Sequence, residues 1–189
     1  MTGWGFLGVR LPMPDDEQWA ADRAIILKGL GILDPEGNPT ERLEVVKAAK
    51  MARLTQDEWQ HERDKMLTTC GQCHSRNFAR AELEKGDQII REGDRLMAEA
   101  ISIVAGLYED DLLAKPEHYT YSFPDLLSFH DSPTTIEQRL FVMFLLHRMR
   151  LFQGAFHANP DYSLWYGWSE MQMDLTEIRT LAAELRYAK

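Results

Sequence analysis

Residues 70–74 read CGQCH and contain both cysteines of the chain, Cys70 and Cys73, followed directly by His74. Two thiols at this spacing serve in three chemistries: a redox disulfide, half of a zinc site, or covalent attachment of haem. A thioredoxin-like disulfide requires a strand–helix–strand unit around the motif, and the sequence does not predict one. A structural zinc site requires four ligands, and no pair of histidines at zinc-finger spacing is present to complete it.

Haem attachment is the chemistry that uses every residue of the motif. Each thiol can add to a vinyl group of haem, and a neutral imidazole in the next position is a preferred axial ligand of the iron. Both cysteines are then consumed and no odd thiol remains. We therefore predict one c-type haem (haem c) in this chain, with thioether bonds to Cys70 and Cys73 and His74 as an axial ligand.

Composition narrows the classes of protein that can carry such a motif. A chain of 189 residues fits one domain with a sizeable core. A formal net charge of −9 argues against nucleic acid as a partner, because phosphate backbones attract cations. No run of about 18 uncharged apolar residues is present, so no membrane span is expected. The N-terminus lacks the basic start and long apolar stretch of a secretory signal.

The pattern along the chain is almost entirely helical. Thr55 and Glu58 form a predicted capping box for the helix that leads into the cysteine motif. The first helix is predicted to be capped by Asp15, and the helix that restarts the chain after the 114–131 loop is predicted to have Ser132 as its cap and Pro133 in its first turn.

Three apolar stripes at steps of three, four and seven follow the motif, which is the pattern of helices that pack along one face. We therefore predict an all-α fold, a long antiparallel helical bundle that follows a single c-type haem attachment motif. Residues 1–79 form a helical lead-in that ends in the motif, and residues 80–189 form the long-helix bundle. The stripes are Ile90, Met97, Ile101, Val104 and Tyr108; Ile136, Leu140, Phe144, His147, Leu151 and Gly154; and Trp168, Met171, Leu175, Ile178, Ala182 and Leu185.

The sequence around the motif is similar to that of a known family. Trp59, Arg63 and Met66 precede Cys70 on the entering helix, Ser75 and Phe78 follow His74, and the segments LYEDDLL, IEQRLFVMFLLHR and GAFHANPDYSLWYGW come later. Together they resemble the C-terminal part of octahaem cytochromes of the hydroxylamine oxidoreductase family, from about Trp59 to the end of the chain. In that family the last haem motif is followed by long antiparallel helices.

The resemblance implies a parent protein with several more C-x-x-C-H motifs, whereas this chain has one. We expect the C-terminal piece of a longer oxidoreductase that acts on small nitrogen compounds; the rival expectation is a complete small monohaem cytochrome. The piece would not be catalytic alone. The resemblance also implies a periplasmic or other extracytoplasmic location, a homotrimer, and contact with other haem-bearing segments or subunits and with a redox partner cytochrome.

The same resemblance implies a role for two tyrosines. Members that oxidise hydroxylamine cross-link a tyrosine of this region to the catalytic haem of a neighbouring subunit, and Tyr162 and Tyr166 lie in the matching stretch. The alternative is that this aromatic-rich segment only fills the end of the bundle.

The second axial ligand of the haem stays open at this point. The candidates are His61, His130, His147 and His157, or a histidine outside this chain. A haem that only transfers electrons is expected to have two fixed ligands. A different class of function is also possible, a haem-free helical domain for interaction or trimerisation.

Overall fold

The structure, a computed structural model, describes residues 12–48, 55–119, 123–128 and 132–188. The all-α prediction is confirmed: within these ranges the only β-type pairing is an isolated bridge between Leu33 and Pro39. The helices are α1 (Glu17–Gly29), α2 (Glu41–Ala48), α3 (Gln56–Cys70), α4 (Arg76–Glu109), α5 (Thr135–Val142), α6 (Met149–Phe156), α7 (Pro160–Ser163) and α8 (Ser169–Tyr187). Two π-helical segments continue them, π1 (Met143–Arg148) between α5 and α6 and π2 (Leu164–Trp168) between α7 and α8.

Helix α4 is the axis of the bundle. It has 34 residues and is therefore about 50 Å long. Its predicted stripe faces the core, where Met97, Ile101 and Val104 are fully buried. Helices α1, α6 and α8 pack against it, so the stripes of the later helices meet the stripe of α4 in one continuous core.

Helix starts agree with the sequence prediction in one case and differ in two. The capping box of Thr55 and Glu58 at the start of α3 is confirmed. Helix α1 has Asp16 as its N-cap, where Asp15 was predicted. Helix α5 begins at Thr135 with Thr134 as its N-cap, so the predicted cap Ser132 was wrong. The reason is Glu137, whose carboxylate accepts hydrogen bonds from the backbone N–H (3.1 Å) and hydroxyl (2.7 Å) of Thr134.

A buried ionic cluster joins the first helix to the rest of the bundle. Asp94 of α4 is completely buried, and its Oδ2 accepts hydrogen bonds from Trp19 Nε1 at 2.9 Å and from Arg23 Nη2 at 2.8 Å. Its Oδ1 accepts a hydrogen bond from Arg148 Nη2 of π1 at 2.8 Å. The Arg148 guanidinium also lies 4.3 Å from the ring centroid of Phe152. One carboxylate therefore binds side chains from two other elements.

Glycines allow the helices to approach each other closely around α6. The two glycines in the first half of α4, which weaken a helix locally, lie where Leu151 and Ala155 of α6 pack. A Cβ atom at Gly93 would lie 3.0 Å from Leu151 Cδ2. A Cβ atom at Gly167 of π2 would lie 2.5 Å from the backbone Cα of Leu151. These glycines therefore lower the helix propensity locally, but they allow the helices to pack closely.

Replacing Gly167 by alanine should destabilise the bundle by about 1–3 kcal/mol, because the new methyl group overlaps backbone that cannot move aside. Thermal unfolding followed by circular dichroism measures this. The matched control is Gly106→Ala in α4, where the nearest neighbour of a Cβ atom is 3.9 Å away. That change should stabilise the protein by up to about 1 kcal/mol through helix propensity. Equal melting temperatures for Gly167→Ala and the wild type would contradict the close approach.

Candidate haem-attachment site

The cysteine motif forms the tip of a hairpin between α3 and α4. Helix α3 ends at Cys70, and the backbone carbonyl of Cys70 accepts hydrogen bonds from the N–H groups of Cys73 (3.1 Å) and His74 (2.9 Å). Ser75 then caps α4, its hydroxyl accepting a hydrogen bond from the N–H of Phe78 at 3.3 Å. The chain thus makes one tight turn between two helix ends, and this turn contains the complete motif.

The chemical groups of the motif are available to a cofactor. Both thiols are free; Cys70 is partly buried, whereas Cys73 and His74 are exposed. The ring of His74 lies 4.9 Å from the ring of Phe78, which is itself 49% exposed. Two thiols and one imidazole on a single turn are the donor set of a c-type haem site, so the residues present fit this group. Within the described residues no cluster of three or more His, Cys, Asp or Glu side chains has metal-site geometry.

The flanking residues fix the hairpin to the bundle. Trp59 lies edge-on to Phe156 of α6, with ring centroids 6.5 Å apart. One turn later, Arg63 donates two hydrogen bonds, of 2.9 and 2.7 Å, to the carboxylate of Asp87 in α4. Burial raises the pKa of Asp87 even though the charge of Arg63 acts in the opposite direction. These contacts set the register of α3 against α4 and so the position of the motif.

The hairpin extends beyond the other helices. Ala155 of α6 lies against Gly86 of α4, because a Cβ atom at Gly86 would be 3.2 Å from the Ala155 carbonyl oxygen. From Gly86 to the first residue of α4, Arg76, the helix runs about 15 Å. The motif is therefore about three helical turns away from the level at which α6 packs.

His147 lies in the core of the bundle, far from the motif. Its Nδ1 is 2.5 Å from Oδ2 of Asp174 in α8, and Asp174 also contacts Arg139 at 3.3 Å. The neighbouring Arg148 bonds Asp94, which is about 27 Å along α4 from Arg76. An iron ligand must lie about 2 Å from the metal. Within one chain, His147 is therefore not positioned to bind an iron that is held by His74.

His157 follows the last residue of α6 and is exposed. Its Nδ1 lies 2.7 Å from the backbone carbonyl oxygen of Gln153. A carbonyl only accepts hydrogen bonds, so Nδ1 carries the proton, and in the neutral imidazole Nε2 then holds the lone pair. A fixed tautomer of this kind is the usual state of an imidazole that binds a metal.

The two remaining candidates for the second axial ligand are His61 and His130. His61 is exposed on the outer face of α3, two residues after Trp59 on the opposite side of the helix. His130 lies outside the described residues. The position of His147 removes one candidate for this haem, and the identity of the second axial ligand stays a prediction.

Tyr162 and Tyr166 lie side by side, with ring centroids 5.3 Å apart. The hydroxyl of Tyr162 lies 3.4 Å from the side-chain carbonyl oxygen of Gln153, the residue whose backbone orients His157. Tyr166 is 55% exposed and the adjacent Trp165 is 70% exposed. The segment therefore does not fill the bundle end completely, and it places aromatic surface beside His157.

Several known proteins are similar to this chain in sequence or in fold. Residues 41–118, which include the motif, match the family described as "Seven times multi-haem cytochrome CxxCH". A probable nitrite reductase–hydroxylamine oxidoreductase fusion protein of Kuenenia stuttgartiensis is 26% identical over 180 residues, 74% of this chain and 21% of that protein. A chain of a reducing HAO-like protein complex of the same organism has a similar fold, with a TM-score of 0.64 and 22% identity over 85% of this chain and 40% of that chain.

None of the helices within the described ranges is both long enough and apolar enough to cross a bilayer. This chain spans about a fifth of the curated relative and two fifths of the solved chain that it matches.

Proposed function

We propose that this chain is the electron-transfer module of a hydroxylamine oxidoreductase-like multihaem cytochrome and carries haem c at the hairpin tip, because it is similar in sequence to such proteins. The observation that carries the proposal is the turn from Cys70 to His74, which presents two free thiols and an imidazole together within a segment that matches a multihaem family. When bound, the haem supplies one-electron exchange.

The residues of the chain have separate roles in this proposal. Cys70 and Cys73 hold the porphyrin by thioether bonds, and neutral His74 binds the iron. Arg63 keeps the hairpin in register with α4 and Trp59 holds it against α6, so the motif keeps a fixed distance from the bundle. We propose that the lead-in, residues 1–79, and the bundle, residues 80–189, act as one unit; the buried bonds between Arg23 and Asp94 support this.

We propose that the second axial ligand of this haem comes from outside the described residues. His147 is too distant and is held by Asp174. His157 lies nearer and presents Nε2, and we propose that it binds the iron of a haem that another segment or subunit attaches. Tyr162 and Tyr166 are the proposed contacts to that second haem, and a cross-link to one of them belongs to the same proposal.

The parent protein is proposed to be an oxidoreductase of small nitrogen compounds, in an extracytoplasmic compartment such as the periplasm. The names of the relatives, a nitrite reductase–hydroxylamine oxidoreductase fusion protein and a reducing HAO-like complex, support this substrate class. Its proposed partners are other haem-bearing segments or subunits, a second and third copy in a homotrimer, and a redox partner cytochrome.

A second candidate function is a haem-free interaction domain, and one observation favours it. Leu164, Trp165 and Tyr166 of π2 and Met173 of α8 are each between 47% and 70% exposed. A cluster of exposed large apolar side chains is typical of a surface that contacts another protein. The stand-alone monohaem carrier remains the third possibility.

A visible absorption spectrum separates the two haem-bearing functions from the haem-free interaction domain. We express the chain, with an export signal, in cells that attach c-type haem and record the spectra of the oxidised and dithionite-reduced protein. The proposal predicts a Soret band and, after denaturation and reduction in alkaline pyridine, a sharp band at the shorter wavelength that is typical of a haem whose vinyl groups have become thioethers. A colourless protein that is folded and oligomeric would favour the interaction domain instead.

The isolated chain should not turn over hydroxylamine, hydrazine or nitrite. Removal or addition of two or more electrons needs an open iron position and further haems, and one motif supplies a single one-electron centre. Steady-state assays with a reduced or oxidised dye measure this, with free haem at equal concentration as the control. Turnover above that of free haem would contradict the assignment as an electron-transfer module.

A further inference from the structure

The aromatic ring of Phe78 lies against the ring of His74, the predicted axial ligand of the haem. The two ring centroids are 4.9 Å apart, and the ring planes make an angle of 31°. This geometry is close to an offset stack, which is one of the arrangements that aromatic pairs prefer. Phe78 is half-exposed and His74 is exposed, so the pair lies at the surface of the turn that contains the cysteines. The contact is therefore part of the attachment site and not of the bundle core.

The backbone of the turn fixes the positions at which both rings are attached. The N–H of His74 donates a hydrogen bond to the Cys70 carbonyl at 2.9 Å. The N–H of Phe78 donates one to the hydroxyl of Ser75, the N-cap of α4, at 3.3 Å. His74 therefore directly precedes the cap, and Phe78 lies in the first helical turn. A side chain before the cap that packs against the start of a helix fixes the angle at which the chain enters it.

His74 differs from two other histidines of the chain in what holds its ring. Nδ1 of His147 lies 2.5 Å from a carboxylate, and Nδ1 of His157 lies 2.7 Å from a backbone carbonyl. A hydrogen bond of this kind usually orients an imidazole that binds a metal. Within the described ranges the ring of His74 forms no hydrogen bond, and its contact is the ring of Phe78. The torsion that rotates an imidazole ring is broad, so a neighbour that packs on the ring face decides its plane.

Given the proposed haem at Cys70 and Cys73, we propose that Phe78 is a positioning residue that holds the His74 imidazole in one plane while this ring binds the iron. This role rests on the proposed function, because without haem there is no iron for His74 to bind. Aromatic pairing corresponds to a roughly two- to tenfold preference for the stacked orientation. The orientation of an axial ligand is one of the means by which a protein tunes the electronic state of a haem. Phe78 acts through His74 and does not itself bind the iron.

Proton NMR of the haem-loaded ferric chain in the presence of cyanide tests this role. Cyanide fills the sixth position of the iron and is linear, so His74 is the axial ligand whose plane shapes the spectrum. That plane determines the order and the spread of the haem-methyl shifts. A ring held by Phe78 predicts a wide spread in the wild type, because rotation of the ring among several planes would average the shifts and narrow their spread.

Three variants separate the effect of the aromatic ring from that of its surroundings. Phe78→Leu keeps an apolar side chain without a ring, so the spread of the methyl shifts should narrow and their order should change. Phe78→Tyr keeps the ring and should restore the wild-type pattern. Asn77→Ala changes the adjacent exposed residue of α4 and should give the wild-type pattern as well.

The wild-type pattern in Phe78→Leu would overturn the proposal, and so would an equal loss of the pattern in Phe78→Leu and Phe78→Tyr. A midpoint potential that shifts in Phe78→Leu while the methyl pattern stays unchanged would mean that the side chain only excludes water from the haem, which also contradicts the proposal. A chain without covalent haem shows no haem-methyl resonances, and that outcome rejects the proposed function instead.

Discussion

Replacing Cys70 and Cys73 together by alanine should abolish covalent haem attachment. A thioether bond needs a thiol, and these are the only two cysteines of the chain. His74 alone would leave a haem that is held by one coordination bond on an exposed turn. Extraction with acidified acetone, followed by the absorbance of the protein pellet, measures the covalent haem, and we expect a loss to background.

The control for this variant comes from the same hairpin. Thr68→Ala with Thr69→Ala changes two exposed residues of α3 whose hydroxyls donate only to the helix backbone. It should keep its haem after extraction. A double cysteine variant that retains extraction-resistant haem would show that the cofactor is attached elsewhere.

Asp94→Ala should have the largest effect on stability, a loss of about 3–5 kcal/mol in the free energy of unfolding. Asp94 is completely buried between Arg23 and Arg148, so its removal leaves two guanidinium groups buried together without a counter-charge. Chemical denaturation followed by circular dichroism measures the loss. Glu99→Ala is the control, because its pair with Arg179 is exposed and is worth less than about 1 kcal/mol.

Asp94 also makes the stability depend on pH. Burial alone would raise its pKa, but the charges of Arg148 and Arg23 together with hydrogen bonds outweigh burial and lower the pKa. A lowered pKa in the folded state means that the contribution is complete above the unfolded value of about 3.9 and is lost as the pH falls below it. Wild-type stability should therefore fall below about pH 4, and Asp94→Ala should show a smaller fall.

Sequence periodicity was sufficient to predict the all-α fold and the core face of α4, but not where every helix begins. The stripe from Ile90 to Tyr108 is buried along α4 as predicted, because a long helix with one apolar face has one way to bury it. Helix α4 begins at Arg76 because Ser75, the residue that follows His74, caps it. The start of α5 was misplaced because Thr134 and Glu137 form a stronger cap than Ser132 and Pro133.

Long-range polar partners could not be predicted from the sequence. The residues that Arg63, His147 and Arg148 contact are Asp87, Asp174 and Asp94, which are separated from them by 24 to 54 positions. Two of these aspartates have an unusual place in the sequence. Asp94 lies on the apolar stripe of α4, between Ile90 and Met97, and Asp174 lies next to Leu175 on the stripe of α8. Such a position indicates a buried acid, but it does not identify the basic partner.

The exposure of the haem motif could not be predicted from the sequence either. Both cysteines and His74 could be identified from their spacing, but the spacing contains nothing about where the turn lies relative to the bundle. Trp59 and Arg63 fix that position by contacts to Phe156 and Asp87, on two different helices. These contacts arise only when α3, α4 and α6 are packed together.

The mass of the denatured chain tests the central claim most directly. The polypeptide is produced with c-type haem maturation and measured intact by mass spectrometry under conditions that release any non-covalent cofactor. We predict the mass of the polypeptide plus one haem, with the added mass on the peptide that contains Cys70 and Cys73. A chain that is found at its bare polypeptide mass would contradict the account.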